Sequence, residues 1–422
     1  MNIQENEVKN LNKYIFNDVF DYFNVQNCEG ERLRYISKFN IFLKYIILNK
    51  VSSFFINIYN FNSLKKVKKK SENSFTILFL ADPILYNDLL SEIDNNYQII
   101  ITNPFKNINS KKNLFSLIFR NISINLIYGF EKNLMKYTIK AISRLEFYLI
   151  KSNTKQVIIN DSIHPINRAI IYVSKKLNIK TIEIQHAIYP SEMILMKGSG
   201  PDFVFVWGNY FKEMYIKQKI RCQDSIKILG YPFKIMKYEK RNQKKPVLYY
   251  LAQGFHLQDI NNLDILISNA INLKGICEKY EIEFRCRLHP NSPQILLDKI
   301  LPIIKCTPKN ETIEDSISYG DIFVSFNSTA LIQANINNKI CIQLINIPVE
   351  TDNFEEIGTS IKSFNNIPDL ESYVIEIVND FNSFKFHQNK KSNYVEILSE
   401  SPSKTFLELL TEIDKRKSKK NI

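Results

Sequence analysis

Short runs of β-branched and aromatic residues alternate with segments whose apolar residues recur every three or four positions. That alternation is how a parallel sheet with crossover helices reads in a sequence. In the first half it predicts strands over 76–80, 98–102, 156–160, 180–185, 203–207 and 226–229, with helices over 133–150 and 165–177. The segment KYEKRNQKKP (237–246) is polar, charged and closed by a proline, and reads as a linker. A second series of strands follows over 247–252, 283–288, 303–306, 322–325 and 340–344. A final helix over 392–416 carries a basic tail.

The expectation is therefore an α/β chain with two Rossmann-like halves whose parallel sheets face a central cleft. Residues 1–236 form the first domain, 246–390 the second and 391–422 the closing helix and tail. Ligands of open α/β sheets bind beyond the carboxyl ends of the strands, so candidate chemistry belongs there.

The most apolar stretch, 41–61, is interrupted by Lys44, Asn49, Lys50, Asn57 and Asn60 and does not read as a spanning helix. It has two readings: an amphipathic helix lying on a membrane beside the basic KKVKKK, or a core helix of the first domain. The N-terminal MNIQENEVKN carries acids and amides and does not read as a signal peptide.

Composition narrows the picture. The 422 residues suit two domains, and 45% hydrophobic with 23% charged residues is globular rather than disordered. The lean toward Ile, Asn, Lys, Phe and Tyr reads as an AT-rich coding bias. A formal net charge of +13, from 56 Lys+Arg against 43 Asp+Glu, favours anionic partners. Its local runs, at 65–70, 240–245 and 415–420, equally suit solvated linkers and tails. No basic patch interleaved with exposed aromatics marks nucleic-acid binding. The six cysteines stand singly with no Cys-x-x-Cys pair, several in apolar runs, which fits reduced thiols in a cytoplasmic protein.

Ten glycines in the whole chain exclude several classes. There is no G-x-G-x-x-G after a strand, since Gly198 and Gly200 lack the third glycine, so a nicotinamide or flavin dehydrogenase is not expected. P-loop, nucleophile-elbow and zinc-ligand spacings are missing, as is any Asp-x-Asp metal clamp. A nucleotide would be held by backbone amides, basic residues and hydroxyls, without a metal or other cofactor.

Three strand ends carry candidate chemistry. In TIEIQHA a buried strand finishes at Gln185 and presents His186, a general base, an anion ligand or a structural hydrogen-bonding group. In FRCRLHPNSP the next strand runs into His289, and Pro290 fixes the backbone so that the imidazole projects from the turn or caps it. Arg285 and Arg287, two apart, share one face of that strand. In DIFVSFNSTAL a strand meets Asn327, Ser328 and Thr329, which open a helix; this is an anion site or an ordinary N-cap.

The order IQHA, PDFVFVWGNYFKEMY, IKILGYP, VLYYLAQG, RLHP and D-x-x-x-S-x-x-S-T-A-L resembles bacterial GT-B glycosyltransferases of surface-polysaccharide assembly. That group includes sialyl-, polysialyl- and Kdo transferases and the related CDP-glycerol polymerases. The resemblance covers roughly 155–344. It implies that His289 binds the donor phosphate and steadies the departing nucleotide, with Ser328 and Thr329 as hydroxyl partners. It further implies that Gly254 lies in a loop passing close to the donor. The sialyltransferases use a first-domain acid as base, which points to Asp161, with Asp82 behind it. The CDP-glycerol enzymes use a histidine in a similar place, which points to His186.

Two departures matter. Ala187 stands where relatives often have glycine, and Gln333-Ala334 replaces a Glu-Ala whose carboxylate often holds a ribose. Loss of that carboxylate favours a cytidine donor. The reading is a cytoplasmic, metal-independent transferase moving a sialic acid- or Kdo-like sugar from a CMP-activated donor to a glycan or glycolipid acceptor. Peripheral contact with the anionic inner membrane is compatible with it, and nucleic acid is not an expected partner. The alternative is a CDP-glycerol or UDP/GDP-hexose transferase of the same fold.

Overall fold

The computed structural model describes residues 75–80, 89, 97–101, 145–162, 165–186, 200–217, 223–232, 245–252, 261–289, 292, 294–348, 351–381, 395 and 402–415. Asp82, Ala187, Gly254, Pro290, the stretch 41–61 and most of the 237–246 linker lie outside them. The chain divides into two compact units.

The first unit is built on β1 (Phe75–Leu80), β2 (Tyr97–Ile101), β3 (Thr154–Ile159), β4 (Lys180–Ile184), β5 (Phe203–Val206) and β6 (Ile226–Ile228). All pair in parallel in the order β2-β1-β3-β4-β5-β6. Helices α1 (Pro165–Lys176) and α2 (Asn209–Lys217) are its crossovers. The sheet reverses between β1 and β3: the chain leaves β1 toward β2 on one side and β3 toward β4 on the other. Strand ends diverge at such a reversal and leave a crevice.

The second unit holds β7 (Val247–Ala252), α3 (Asn261–Lys279), β8 (Glu283–Leu288), α4 (Gln294–Ile300), α5 (Ile313–Tyr319) and β9 (Ile322–Ser325). It continues through α6 (Thr329–Ile336), β10 (Ile340–Leu344), β11 (Lys362–Phe364) and α7 (Ile367–Asn379). Its parallel order is β11-β10-β9-β7-β8, so it reverses between β7 and β9. β7, β9 and β10 are buried along their whole length, the mark of a parallel sheet covered on both faces. Leu248, Tyr250 and Ala252 share a core with Leu266, Ala270 and Leu273 of α3 and with Leu370, Val374 and Ile377 of α7.

The last helix, α8 (Pro402–Lys415), returns to the first unit. Phe406, Leu410 and Ile413, spaced to share one helical face, join the core of Ile158, Ile182 and Phe205. The rings of Phe205 and Phe406 meet edge to face at 6.1 Å.

Gly320, between α5 and β9, is dictated by packing. A Cβ there would lie 2.5 Å from Cζ of Phe323 and 2.7 Å from the Tyr249 ring. Tyr249 and Phe323 stack at 5.4 Å on neighbouring strands, so neither ring has room to yield.

Two elements differ from the sequence pattern. The apolar run 303–306 is not a strand: Ile303 is exposed in a turn, and only Cys306 pairs, through a single parallel bridge to Cys286. β11 is a three-residue edge strand with the polar sequence KSF, which carries no apolar run to announce it.

Candidate functional site

In the first unit the candidate groups gather at the sheet reversal. Asp161 lies two residues beyond β3, half-buried, and Asn167 in the first turn of α1 holds it twice. The Asn167 amide Nδ2 donates to the Asp161 carbonyl at 2.8 Å and to its carboxylate Oδ2 at 3.1 Å. Asn167 is fully buried and followed by buried Arg168, two adjacent polar residues near the start of a helix whose other buried positions are apolar except Ser174. That placement is the signal in the sequence that pattern reading passed over.

His186 follows β4, and its Nδ1 lies 2.5 Å from the Asn160 carbonyl oxygen. A carbonyl only accepts, so Nδ1 carries a proton, and Nε2 is the nitrogen left to exchange one. A base acting on an outside hydroxyl uses that nitrogen. Gln185, one residue earlier, is only 2% exposed and joins strand ends. Its Oε1 accepts from the Trp207 backbone N–H at 2.9 Å, and its carbonyl accepts from the indole Nε1 at 2.8 Å. Gln185 and Trp207 thus fix the backbone from which His186 projects.

In the second unit the strand ends carry the other set. His289 follows β8, is exposed, and its N–H bonds the Ala252 carbonyl at the end of β7 at 3.2 Å. Ser292 N–H closes the turn onto the His289 carbonyl at 2.9 Å. Although its surface is open, enough protein surrounds the ring that desolvation, followed by the Arg287 cation, holds the imidazole below its usual 6.5. At neutral pH His289 is therefore an N–H donor rather than a cation.

Beyond β9, Ser328 caps α6, its side chain accepting from Ala330 N–H at 3.2 Å. Thr329, the first helical residue, contributes a hydroxyl and an amide that no helical carbonyl can accept. Ser325 Oγ donates to the Leu251 carbonyl at 2.9 Å and locks the end of β9 to β7. β7 lies between β9 and β8, so Ser328, at the start of α6, and His289 follow the strands on either side of it. The positive end of a helix and an imidazole N–H are both groups that can meet an anion.

Arg287 is turned to a structural task. Its Nη1 donates to the Glu311 carbonyl at 2.6 Å, fastening the segment before α5 to β8. Arg285 bonds Glu283 at 2.8 Å and lies 3.6 Å over the Tyr319 ring. With Tyr249, Glu311 and Asp315 it lines a pocket of about 360 Å³, set on the face of the sheet rather than at the strand ends. Asn327 is half-buried in the β9–α6 turn, while Gly254 and Pro290 lie outside the described residues.

The chain matches no protein-family model and no curated protein. Solved structures are similar in fold. A putative UDP-N-acetylglucosamine 2-epimerase from Listeria monocytogenes matches at TM-score 0.56 and 11% identity, over 83% of this chain and 98% of that one. UDP-GlcNAc 2-epimerase from Neisseria meningitidis, bound to UDP-GlcNAc, matches at 0.54 and 12%, over 80% and 100%. S. aureus MnaA with UDP matches at 0.53 and 12%, over 79% and 94%. No described helix is long and apolar enough to cross a membrane. The likeness, with two parallel-sheet α/β units, establishes that this chain has the GT-B fold.

Proposed function

We propose that the chain is a nucleotide-sugar glycosyltransferase that moves an acidic, sialic acid- or Kdo-like sugar from a CMP-activated donor to a bacterial surface glycan or glycolipid. One observation supports it above the others: Asp161 and Ser328 each follow a strand at which its sheet reverses order. Crevices at such reversals are where α/β sheets bind ligands. His289 lies one strand away from the second of them.

On this reading Asp161, held by Asn167, takes the proton from the acceptor hydroxyl as that oxygen attacks the sugar. His289, Ser328, Thr329 and the α6 N-terminus receive the charge that builds on the leaving phosphate, in place of a metal ion. Gln333, half-buried in α6, stands where a ribose-holding glutamate would be, which favours cytidine over uridine. A second reading, a UDP-hexosamine enzyme of the same fold, draws on the UDP-GlcNAc and UDP bound in the similar structures.

A thermal-shift panel of CMP, CDP, UDP and GDP separates the two. CMP should stabilise the protein most. A shift with UDP alone moves the reading to the second, and no shift with any nucleotide removes both.

A further inference from the structure

Cys286 and Cys306 stand twenty positions apart, and neither belongs to a close-spaced cysteine motif. The fold brings them side by side. The chain leaves α4, turns, and crosses the open edge of β8, where Cys306 forms a parallel bridge with Cys286. The Thr307 N–H seals it, donating to the Cys286 carbonyl at 2.8 Å. Neighbouring parallel strands lie about 4.8 Å apart, inside the roughly 4.4–6.8 Å between Cα atoms that a disulfide spans. Residues paired across a bridge point to the same face, and both side chains pack against the same apolar cluster. The Cys306 thiol donates to the Ile304 carbonyl at 3.6 Å.

We infer that Cys286 and Cys306 form a thiol-oxidation site, closed to a disulfide by a hydroperoxide. The two sulfurs differ in access: Cys286 is fully buried and Cys306 half-buried, so an oxidant meets Cys306 first. The neighbouring Cys286 thiol holds the Cys306 pKa below the usual thiol value, and the same contact, with burial, holds that of Cys286 above it. The Cys306 thiolate attacks the terminal peroxide oxygen and the O–O bond breaks; hydroxide, or the alkoxide of an organic hydroperoxide, departs and takes up a proton, and Cys306 becomes a sulfenic acid. The Cys286 sulfur then attacks that sulfur, forming S–S and releasing water, its own proton leaving with the departing hydroxide. Overall two thiols and one hydroperoxide give one disulfide, water and the reduced alcohol or a second water.

Cβ atoms of bridged residues stand slightly farther apart than a relaxed disulfide wants. Cys306 can close that gap, because it lies on an isolated bridge in an irregular segment rather than in a continuous ladder. The link fastens to β8 the same segment that Arg287 holds through Glu311. Cys277 and Cys341, both buried, have no such neighbour among the described cysteines.

The test treats the folded, fully reduced chain with hydrogen peroxide, alkylates the remaining thiols, digests it and maps the peptides by mass spectrometry. The expected product is a peptide joining Cys286 to Cys306, released by dithiothreitol. It is absent in Cys306→Ser and kept in Cys277→Ala. Cys306→Ser removes only a half-buried sulfur and keeps a similar shape, so it reads the site even if replacing Cys286 prevents folding. The inference fails if Cys306 goes to sulfinic acid while Cys286 is still alkylated on unfolding. It fails equally if Cys306 links to another cysteine or a second chain, or if both thiols survive the oxidant.

Discussion

His186 Nδ1 meets the Asn160 carbonyl oxygen at 2.5 Å and joins the ends of β3 and β4 one residue before Asp161. The bond gives His186 a duty in positioning the Asp161 backbone, apart from any proton it takes. Asp161→Asn should abolish nearly all transfer, since the amide cannot accept the acceptor's proton. His186→Ala should lose less, and His186→Asn, whose amide can donate in place of Nδ1, less still. Steady-state kinetics of the three variants check this. An active Asp161→Asn beside an inactive His186→Ala would transfer the base to His186 and the preferred donor toward CDP-glycerol.

His289→Ala tests the phosphate reading. Loss of one donor to developing charge costs about 10²–10³ in rate. The expected outcome is a fall in kcat of about 10²-fold or more with an unchanged melting temperature. A large drop in melting temperature would instead make the side chain a structural cap of the turn.

The same histidine makes a prediction about pH. Its pKa in the fold lies below the 6.5 of an unfolded chain. As the pH falls through 6.5, the unfolded chain binds the proton before the folded one does. The stability tied to neutral His289 is therefore complete above 6.5 and is lost progressively below it. Against His289→Gln, the wild type should lose melting temperature on acidification from about pH 7.5 to about pH 5.5. A relative gain would mean that the folded pKa is raised.

Gly320→Ala should destabilise the second unit by about 1–3 kcal/mol, the usual cost of overpacking. The new methyl would enter the space of the stacked Tyr249 and Phe323 rings. Chemical denaturation checks it, and a neutral result would show that the ring pair has slack.

Much of the second sheet was legible from apolar runs alone. Strands 247–252, 283–288, 322–325 and 340–344 appear with the bounds their pattern predicts. Three of them are buried on both faces and so apolar throughout, while the half-buried edge strand 283–288 mixes charged and apolar residues. The other edge elements were not legible. KSF of β11 is too short and polar to register, and the run at 303–306 owes its apolar residues to a turn in which only Ile304 is buried. At the site, His186, His289 and Ser328 were visible because they close recognisable strands. Asn167 and Trp207 were not, since each acts through hydrogen bonds to residues six or twenty-two positions away. Position alone would make Gln185 and Arg287 ligand contacts, whereas Gln185 bonds Trp207 and Arg287 bonds the Glu311 backbone carbonyl.

The central claim is tested most directly by following the consumption of CMP-, CDP-, UDP- and GDP-activated donors in excess EDTA. The account predicts that a CMP-linked acidic sugar is turned over, and that His289→Ala slows this by about 10²-fold. It is contradicted if no CMP-linked sugar is consumed, or if turnover vanishes in EDTA and returns with magnesium or manganese.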